Sequence, residues 1–408
     1  MARRRLAIVI SHPIQYFAPL HGRLAQREDL EVKVFFTWHA GEAPMLDRGF
    51  QQKFAWDVPL TDGYAFEHVA NFAADPGTHH FFGLRNPALI ERVLAWKPDV
   101  AIIYGWAWCS HLLALRAFYR RRIPVLFWGD SHLLDDDRKG ARWRAKQALL
   151  RRVFRWPAGF LVVGSANRAY YDAFGVPAGR LHRCGHTIDV RRFAEPAEKL
   201  EGEAARWRQE LGIAKDAMVL LFAGKFEPRK QPLELMRLVA ALPNPMVVLI
   251  LVGGGELQPQ VEALAAAQLS RFRVLPFQNQ SRMPVVYRLA DLLVVPSAYG
   301  ETWGLVVNEA LASGRPVMVG DRVGCAADLV DDSCGHVFRS KGLTRLPDIL
   351  RELGRNPCRV AAMRDAAKAR AALFDTAVGE RAIVNAIAAV CGPAQTGRGC
   401  GMNGERQG

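Results

Sequence analysis

Short apolar runs, mostly unbroken rather than alternating with polar residues, recur along this chain, and that pattern narrows the fold more than any other feature. They lie at 6–10, 31–36, 100–104, 125–128 and 160–163, and again at 218–223, 246–252, 272–275, 292–295 and 316–319. A strand buried on one face alternates apolar and polar residues, whereas a strand covered on both faces needs no polar side. Helical stretches are expected between these runs, at 86–96, 165–175, 231–242, 257–268 and 283–289. Asn86-Pro87 supplies an N-cap and a first-turn proline for the first of them. Strands alternating with helices imply parallel sheets with helices on both faces, the doubly wound α/β class.

The 408 residues are long for one such unit. The two sets of runs meet at 184–193, which gives an N-terminal domain over 1–190 and a second over 191–375. A last helix is expected over 376–391. Residues 392–408 hold six glycines and no periodicity, so they read as a disordered tail. No apolar run approaches the length of a membrane-spanning helix. The start, Arg-Arg-Arg-Leu-Ala-Ile-Val-Ile, has too short an apolar stretch for a secretion signal and reads as a first strand. The seven cysteines show no C-x2-C pairing and are expected as reduced thiols. Together these features point to a cytoplasmic protein.

The most specific segment is Tyr-Gly-Glu-Thr-Trp-Gly-Leu-Val-Val-Asn-Glu-Ala-Leu-Ala-Ser-Gly-Arg-Pro-Val, residues 299–317. It follows the strand 292–295 and enters a helix that stops at Gly314, with Pro316 beyond. Glu301 then sits before the helix and Glu309 inside it. The amides of Trp303, Gly304, Leu305 and Val306 open the helix, where backbone N–H groups suit a phosphate. Carboxylates on both sides of a phosphate site match a molecule with hydroxyls on both sides of a phosphate, as in a nucleotide sugar.

This segment resembles the Glu-x7-Glu signature of the retaining glycosyltransferases of the GT-B fold, family 4, also called glycosyl transferases group 1. The resemblance covers roughly 6–390 and is strongest over 218–338. It implies two Rossmann-like domains with parallel sheets facing across a cleft, the last helix crossing back onto the first domain. Glu301 would face the donor sugar, and Glu309 would hold the ribose. In Ala-Gly-Lys-Phe-Glu-Pro-Arg-Lys-Gln-Pro, residues 223–232, Lys230 matches a family lysine, while Lys225 stands where the family carries arginine. The substitution keeps the charge and loses the bidentate geometry. The two lysines, with the amides of 303–306, would hold the donor diphosphate, and Gly224 and Thr302 would also bind the donor. The backbone around Gln278 would meet the base. Ser-His-Pro-Ile-Gln-Tyr-Phe-Ala-Pro-Leu at 11–20, Gly49-Phe50 and Trp56-Asp57-Val58-Pro59-Leu60 resemble a subgroup of bacterial surface-polysaccharide synthesis.

In the first domain, His12 and His132 follow strand ends, where such folds place ligands. The resemblance implies that His132 lies near the donor sugar. His12 is expected toward the acceptor or the phosphates, and Asp130 is a rival to His132 at the same turn. Asp135-Asp136-Asp137 contains an Asp-x-Asp, yet it is expected as a solvated loop or a helix N-cap. No metal or other cofactor is expected, since the family uses cations and helix dipoles in place of a metal.

The net charge of +14 favours anionic partners. Residues 138–155 hold eight Lys and Arg and no acid, with Trp143, Leu149, Leu150, Val153 and Phe154 as apolar contacts. Such a helix could lie on anionic lipid at the inner face of the plasma membrane, or could pack on its own domain with a solvated basic face. No nucleic-acid motif accompanies the charge. The expected activity is transfer of a hexose from a UDP- or GDP-sugar to a glycolipid or saccharide acceptor. A nucleotide-sugar epimerase and a non-catalytic nucleotide-sugar scaffold stay open as alternatives.

Overall fold

The computed structural model describes residues 3–39, 44–47, 49–135, 140–243 and 247–392. The first half contains β1 (Arg4–Ile10), β2 (Leu30–Phe36), β3 (Met45–Asp47), β4 (Gln52–Phe54), β5 (Ala65–His68), β6 (Val100–Tyr104), β7 (Val125–Trp128), β8 (Gly159–Val162) and β9 (Leu181–Arg183). All but β3 and β4 form a 7-stranded sheet in the order β5-β2-β1-β6-β7-β8-β9. Every pairing in it is parallel. β3 and β4 make a separate antiparallel hairpin. The second half contains β10 (Met218–Lys225), β11 (Val247–Gly254), β12 (Phe272–Pro276), β13 (Leu292–Val295), β14 (Val317–Gly320) and β15 (Gly335–Phe338). These form a 6-stranded parallel sheet, β12-β11-β10-β13-β14-β15.

The unbroken apolar runs are explained by burial on both faces. In β1, Leu6, Ile8 and Ile10 enter one core while Ala7 and Val9 enter another. In β10, Val219 and Leu221 face one way, and Leu220 and Phe222 face the other. Cutting a fully buried side chain such as Ile102 to alanine would cost about 2–5 kcal/mol.

Sequence reading passed over β5, β9 and β15. Each is a sheet edge, with His68, His182 or His336 in its run, and an edge strand is covered incompletely, so its pattern is mixed. Asn86 is not a helix cap, contrary to expectation. The helix there is Leu89–Ala95. The buried Asn86 amide donates instead to the carbonyls of Thr37, Val69 and Ala70, at 2.8–3.1 Å.

The chain crosses between the sheets near Ile188, whose amide donates to the Phe374 carbonyl while the Thr376 amide donates back to Ile188. The last helix, Thr376–Cys391, packs on the helix Ala18–Ala25, and Glu380 pairs with Arg23 and Arg27. The expected disordered tail lies outside the described residues, apart from Gly392.

The basic helix runs Gly140–Val153. Leu150, Val153 and Phe154 are buried in the N-terminal core, and Trp143 packs on Phe174 at 5.4 Å between centroids. Of the apolar residues expected to meet lipid, Leu149 alone is exposed. The helix packs on its own domain with its charged face outward, because its apolar positions are used by the core. Among the described residues, no helix is long and apolar enough to cross a membrane.

Candidate active site

The carboxyl ends of both parallel sheets open onto one cleft. On its second-sheet side, the segment after β13 is held by its neighbours. Gly304 adopts a left-handed conformation and begins the helix Leu305–Ala312. The Trp303 indole is buried and donates to Asn308 Oδ1 at 2.8 Å, while Asn308 Nδ2 donates to the His186 carbonyl at 3.1 Å. Trp303 thus anchors the loop by its ring and leaves its amide, with those of Gly304, Leu305 and Val306, at the helix start, where no intrahelical acceptor exists.

Glu301 pairs with Lys230 and accepts from Ser297 Oγ at 3.1 Å. Both charged side chains are largely shielded from solvent. The turn that carries Lys230 is fixed by Arg229, whose guanidinium donates to Gly300 O at 2.8 Å, and by Gln231, whose amide reaches the carbonyls of Pro296 and Ser340.

The first-sheet side reaches across to the same loop. Leu134 N donates to His132 Nδ1 at 3.2 Å, so the Nε2–H is left to donate to the Glu301 carbonyl at 3.1 Å. Thr302 Oγ1 donates to Asp130 Oδ2 at 2.8 Å. Asp135 is an exposed loop residue, as expected, and it also accepts the Gly300 amide at 2.7 Å. Asp136 and Asp137 lie outside the described residues. A cavity of about 280 Å³ beside His132 and Thr302 is lined also by Trp106, Ser131, Asp135, Lys146 and Tyr170.

A second cavity, of about 290 Å³, brings together Gly224, Lys225, Gln278, Val306 and Glu309. Phe50, Trp56 and Phe277 give it aromatic walls, and Tyr16, Gln15 and Gln280 a polar side. Its glycines have a steric reason: a Cβ on Gly253, at φ +149°, would lie 1.9 Å from the Gly224 carbonyl oxygen. Beside this cavity the first domain is tied to the second through Asp57, which accepts from the Ser281 amide at 3.0 Å and from its hydroxyl, and through Ala55 O, which accepts from Asn279 Nδ2 at 2.7 Å.

Glu309 is buried to 1% exposure. Its Oε2 accepts from the Tyr287 hydroxyl at 2.5 Å, while Oε1 has no partner at full hydrogen-bond geometry, the Tyr16 hydroxyl and the Gln280 side chain being the other polar groups close to the carboxylate. Burial pushes its carboxyl above the ordinary value, against the pull of Tyr287, Arg192, Tyr16 and Gln280. Lys225 pairs with Asp47 at 2.9 Å and lies 5.1 Å from the Phe50 ring centre. Burial works against ionised Asp47, but the Lys225 ammonium and the Phe50 and Gly49 amides outweigh it and hold its carboxyl below the ordinary value.

His12 lines neither cavity. Its Nδ1 is 2.9 Å from Ser11 Oγ, its ring meets Trp38 edge-on, and burial lowers its pKa to about 4. Burial keeps its imidazole neutral, and its expected place toward the acceptor or the phosphates rests on the resemblance alone. The other expected residues converge on the two cavities and the loop between them. Sequence reasoning missed Asp47 and Tyr287, whose surroundings carry no signal of their own, and also Arg229 and Gln280, which lie in or beside segments it had singled out.

The profile of the family described as glycosyl transferases group 1 matches residues 203–370, and that of a glycosyl transferase 4-like domain matches 62–185. A D-inositol 3-phosphate glycosyltransferase of Streptomyces scabiei is 33% identical over 400 residues, which span 88% of this chain and 82% of that protein. The chain belongs to the glycosyl transferases group 1. With several curated relatives this group 1 protein aligns over about half their length. One is a D-inositol 3-phosphate glycosyltransferase of Nocardia farcinica, 34% identical over 52% of this chain and 48% of that protein. Among solved structures, Anabaena HepE in complex with UDP and glucose superimposes with a TM-score of 0.70 at 17% identity, over 95% of this chain and all of that one. WaaG, a glycosyltransferase involved in lipopolysaccharide biosynthesis, gives 0.62 at 17% identity, over 92% and 98% of the two chains. At these identities the likeness establishes the fold, which is GT-B.

Proposed function

We propose that this group 1 protein transfers a hexose from a nucleoside-diphosphate sugar, a UDP- or GDP-sugar, to a glycolipid or saccharide acceptor, with retention at the anomeric carbon. The observation that carries the reading is Glu309: a buried carboxylate with one unpartnered oxygen, beside a cavity with aromatic walls and a lysine. A buried acceptor left unpaired costs stability unless a ligand donor meets it. Paired ribose hydroxyls are such donors, and Phe50, Trp56 and Phe277 suit the flat base.

The diphosphate would then lie between Lys225, Lys230 and the amides of 303–306, which stabilise charge as it develops on the leaving group. Glu301 would orient sugar hydroxyls, and His132 and Asp130 would complete the sugar side from the first domain. The bond from the anomeric carbon to the diphosphate oxygen breaks, and a bond to the acceptor oxygen forms on the same face. The acceptor proton passes to the departing phosphate oxygen. No side-chain nucleophile or metal is required by this scheme. The D-inositol 3-phosphate glycosyltransferase relatives and the HepE structures with UDP, glucose and UDP-glucose support a nucleotide-sugar donor. A role in cell-surface polysaccharide synthesis at the inner face of the membrane rests on the resemblance of 11–20 and 49–60 and on the basic surface.

The test is donor turnover by purified protein against UDP-, GDP- and ADP-sugars, in EDTA, with mixed membrane lipid as acceptor. Nucleotide release from one donor, lost in Glu301→Gln, is the expected result. A changed sugar nucleotide released without acceptor would replace transfer by epimerisation, and absence of nucleotide binding would overturn the reading.

A further inference from the structure

The connection from β5 to the helix Leu89–Ala95 takes no part in the donor site, yet it is built as a rigid loop. Asn71 Oδ1 accepts the amides of Ala73 and Arg85 at 3.0 and 2.9 Å, and its Nδ2 donates to the Gly83 carbonyl at 2.8 Å. The Phe72 amide donates to Arg85 O, the Gly77 amide to Gly83 O, and the Trp108 indole to Thr78 O at 3.1 Å.

At the tip of this loop, three metal-ligating side chains converge. His79 Nε2 lies 2.8 Å from Asp75 Oδ2, and His80 Nε2 lies 3.5 Å from the same oxygen and 3.0 Å from the Asp75 carbonyl, so an ion would bind with each imidazole proton moved to Nδ1. One ligand atom from each residue falls within 4.8 Å of the other two. Gly77 makes this packing feasible: with φ at +154°, it carries no side chain where a Cβ would sit 2.7 Å from His79 Nδ1.

The geometry points to a divalent transition-metal site formed by Asp75, His79 and His80. A tetrahedral ion with bonds of about 2.0–2.1 Å places neighbouring ligand atoms roughly 3.3 Å apart, so these atoms need move little to close on one. Two imidazole nitrogens and a carboxylate oxygen suit zinc and its neighbours, whereas calcium and magnesium take oxygen ligands. The three side chains are 37–61% exposed, which lets an ion enter and leaves the fourth position to water or an outside ligand. None of the three lines either cavity of the cleft. Through Trp108 the loop is tied to the segment bearing Trp106, which lines the His132 cavity, so the ion would brace the first domain's rim and leave the transfer step to other residues.

The test uses untagged full-length protein, stripped with EDTA and dialysed against Zn²⁺, with Co²⁺ as a spectroscopic probe. One ion per chain, a ligand-field absorption of bound Co²⁺ and a zinc-dependent rise in melting temperature are expected. His79→Gln, His80→Gln and Asp75→Asn should each weaken zinc binding at least tenfold and abolish the cobalt bands. Cys358→Ser, which removes an exposed thiol, should leave binding unchanged. Wild type that binds no stoichiometric zinc would overturn the site. So would a His79→Gln/His80→Gln double variant that binds as wild type does while melting as wild type does without metal. Donor turnover in EDTA is measured separately, so failure of the metal site and failure of the transferase reading are distinguishable.

Discussion

Replacing Glu309 by glutamine should separate stability from binding in opposite directions. In the empty protein the carboxylate is buried, accepts one hydrogen bond from Tyr287 and leaves Oε1 unpaired. Burial raises its folded-state pKa above the ordinary 4.5. A raised carboxyl contributes stability below the unfolded value and loses it as pH climbs through the folded one, so at neutral pH the ionised group is a cost. The neutral amide keeps the shape and removes that cost. Glu309→Gln should therefore melt at or above the wild-type temperature at pH 7. Donor binding should weaken, because a ribose hydroxyl bond to a charged oxygen contributes about 1.5–3 kcal/mol, equivalent to roughly 10- to 150-fold in affinity. Calorimetric titration with UDP and GDP, on whichever the wild type binds, reads this directly. Wild-type affinity should fall as pH drops through the raised pKa, since hydroxyl donors need the carboxylate, and that dependence should vanish in the variant. A variant that binds the nucleotide as tightly as wild type, or that melts several degrees lower, would refute the reasoning.

Other perturbations test the remaining parts of the site. Lys230→Ala leaves Glu301 without its partner and the diphosphate without a cation; nucleotide release in the donor assay should drop at least a hundredfold. Lys225→Ala should weaken nucleoside diphosphate binding about tenfold, and Lys225→Arg should preserve it, read by the same titration. Gly253→Ala forces a Cβ against the Gly224 carbonyl and should cost at least about 1–3 kcal/mol, measured by denaturant unfolding, with loss of nucleotide binding. Thr302→Val removes the hydrogen bond to Asp130 and should lower turnover more than nucleotide affinity, since it lies on the sugar side of the loop.

Much of this protein was legible without coordinates. Continuous apolar runs such as 100–104 and 292–295 specify strands covered on both faces, and they coincide with β6 and β13 residue for residue. The Glu301 to Glu309 segment carries its own strand, turn and helix signals, so the position of both carboxylates relative to the helix start followed from local chemistry. The edge strands β5, β9 and β15, and contacts made across the cleft, were not legible. Asp135 is the solvated loop acid that the sequence suggested, but its hydrogen bond to the Gly300 amide, 165 residues away, could not be read from it. Asp47 and Tyr287 carry no motif, and they matter because folding brings them to Lys225 and Glu309. The apolar residues of Gly140–Val153 could have served a membrane or a core, and packing against Phe174 and its neighbours decided for the core. The sequence by itself determined the strands covered on both faces and the helix start after Gly304, since those depend on neighbours along the chain. Tertiary structure decided which charges meet, which carboxylate loses its water and which histidine stays neutral, since those depend on neighbours in space.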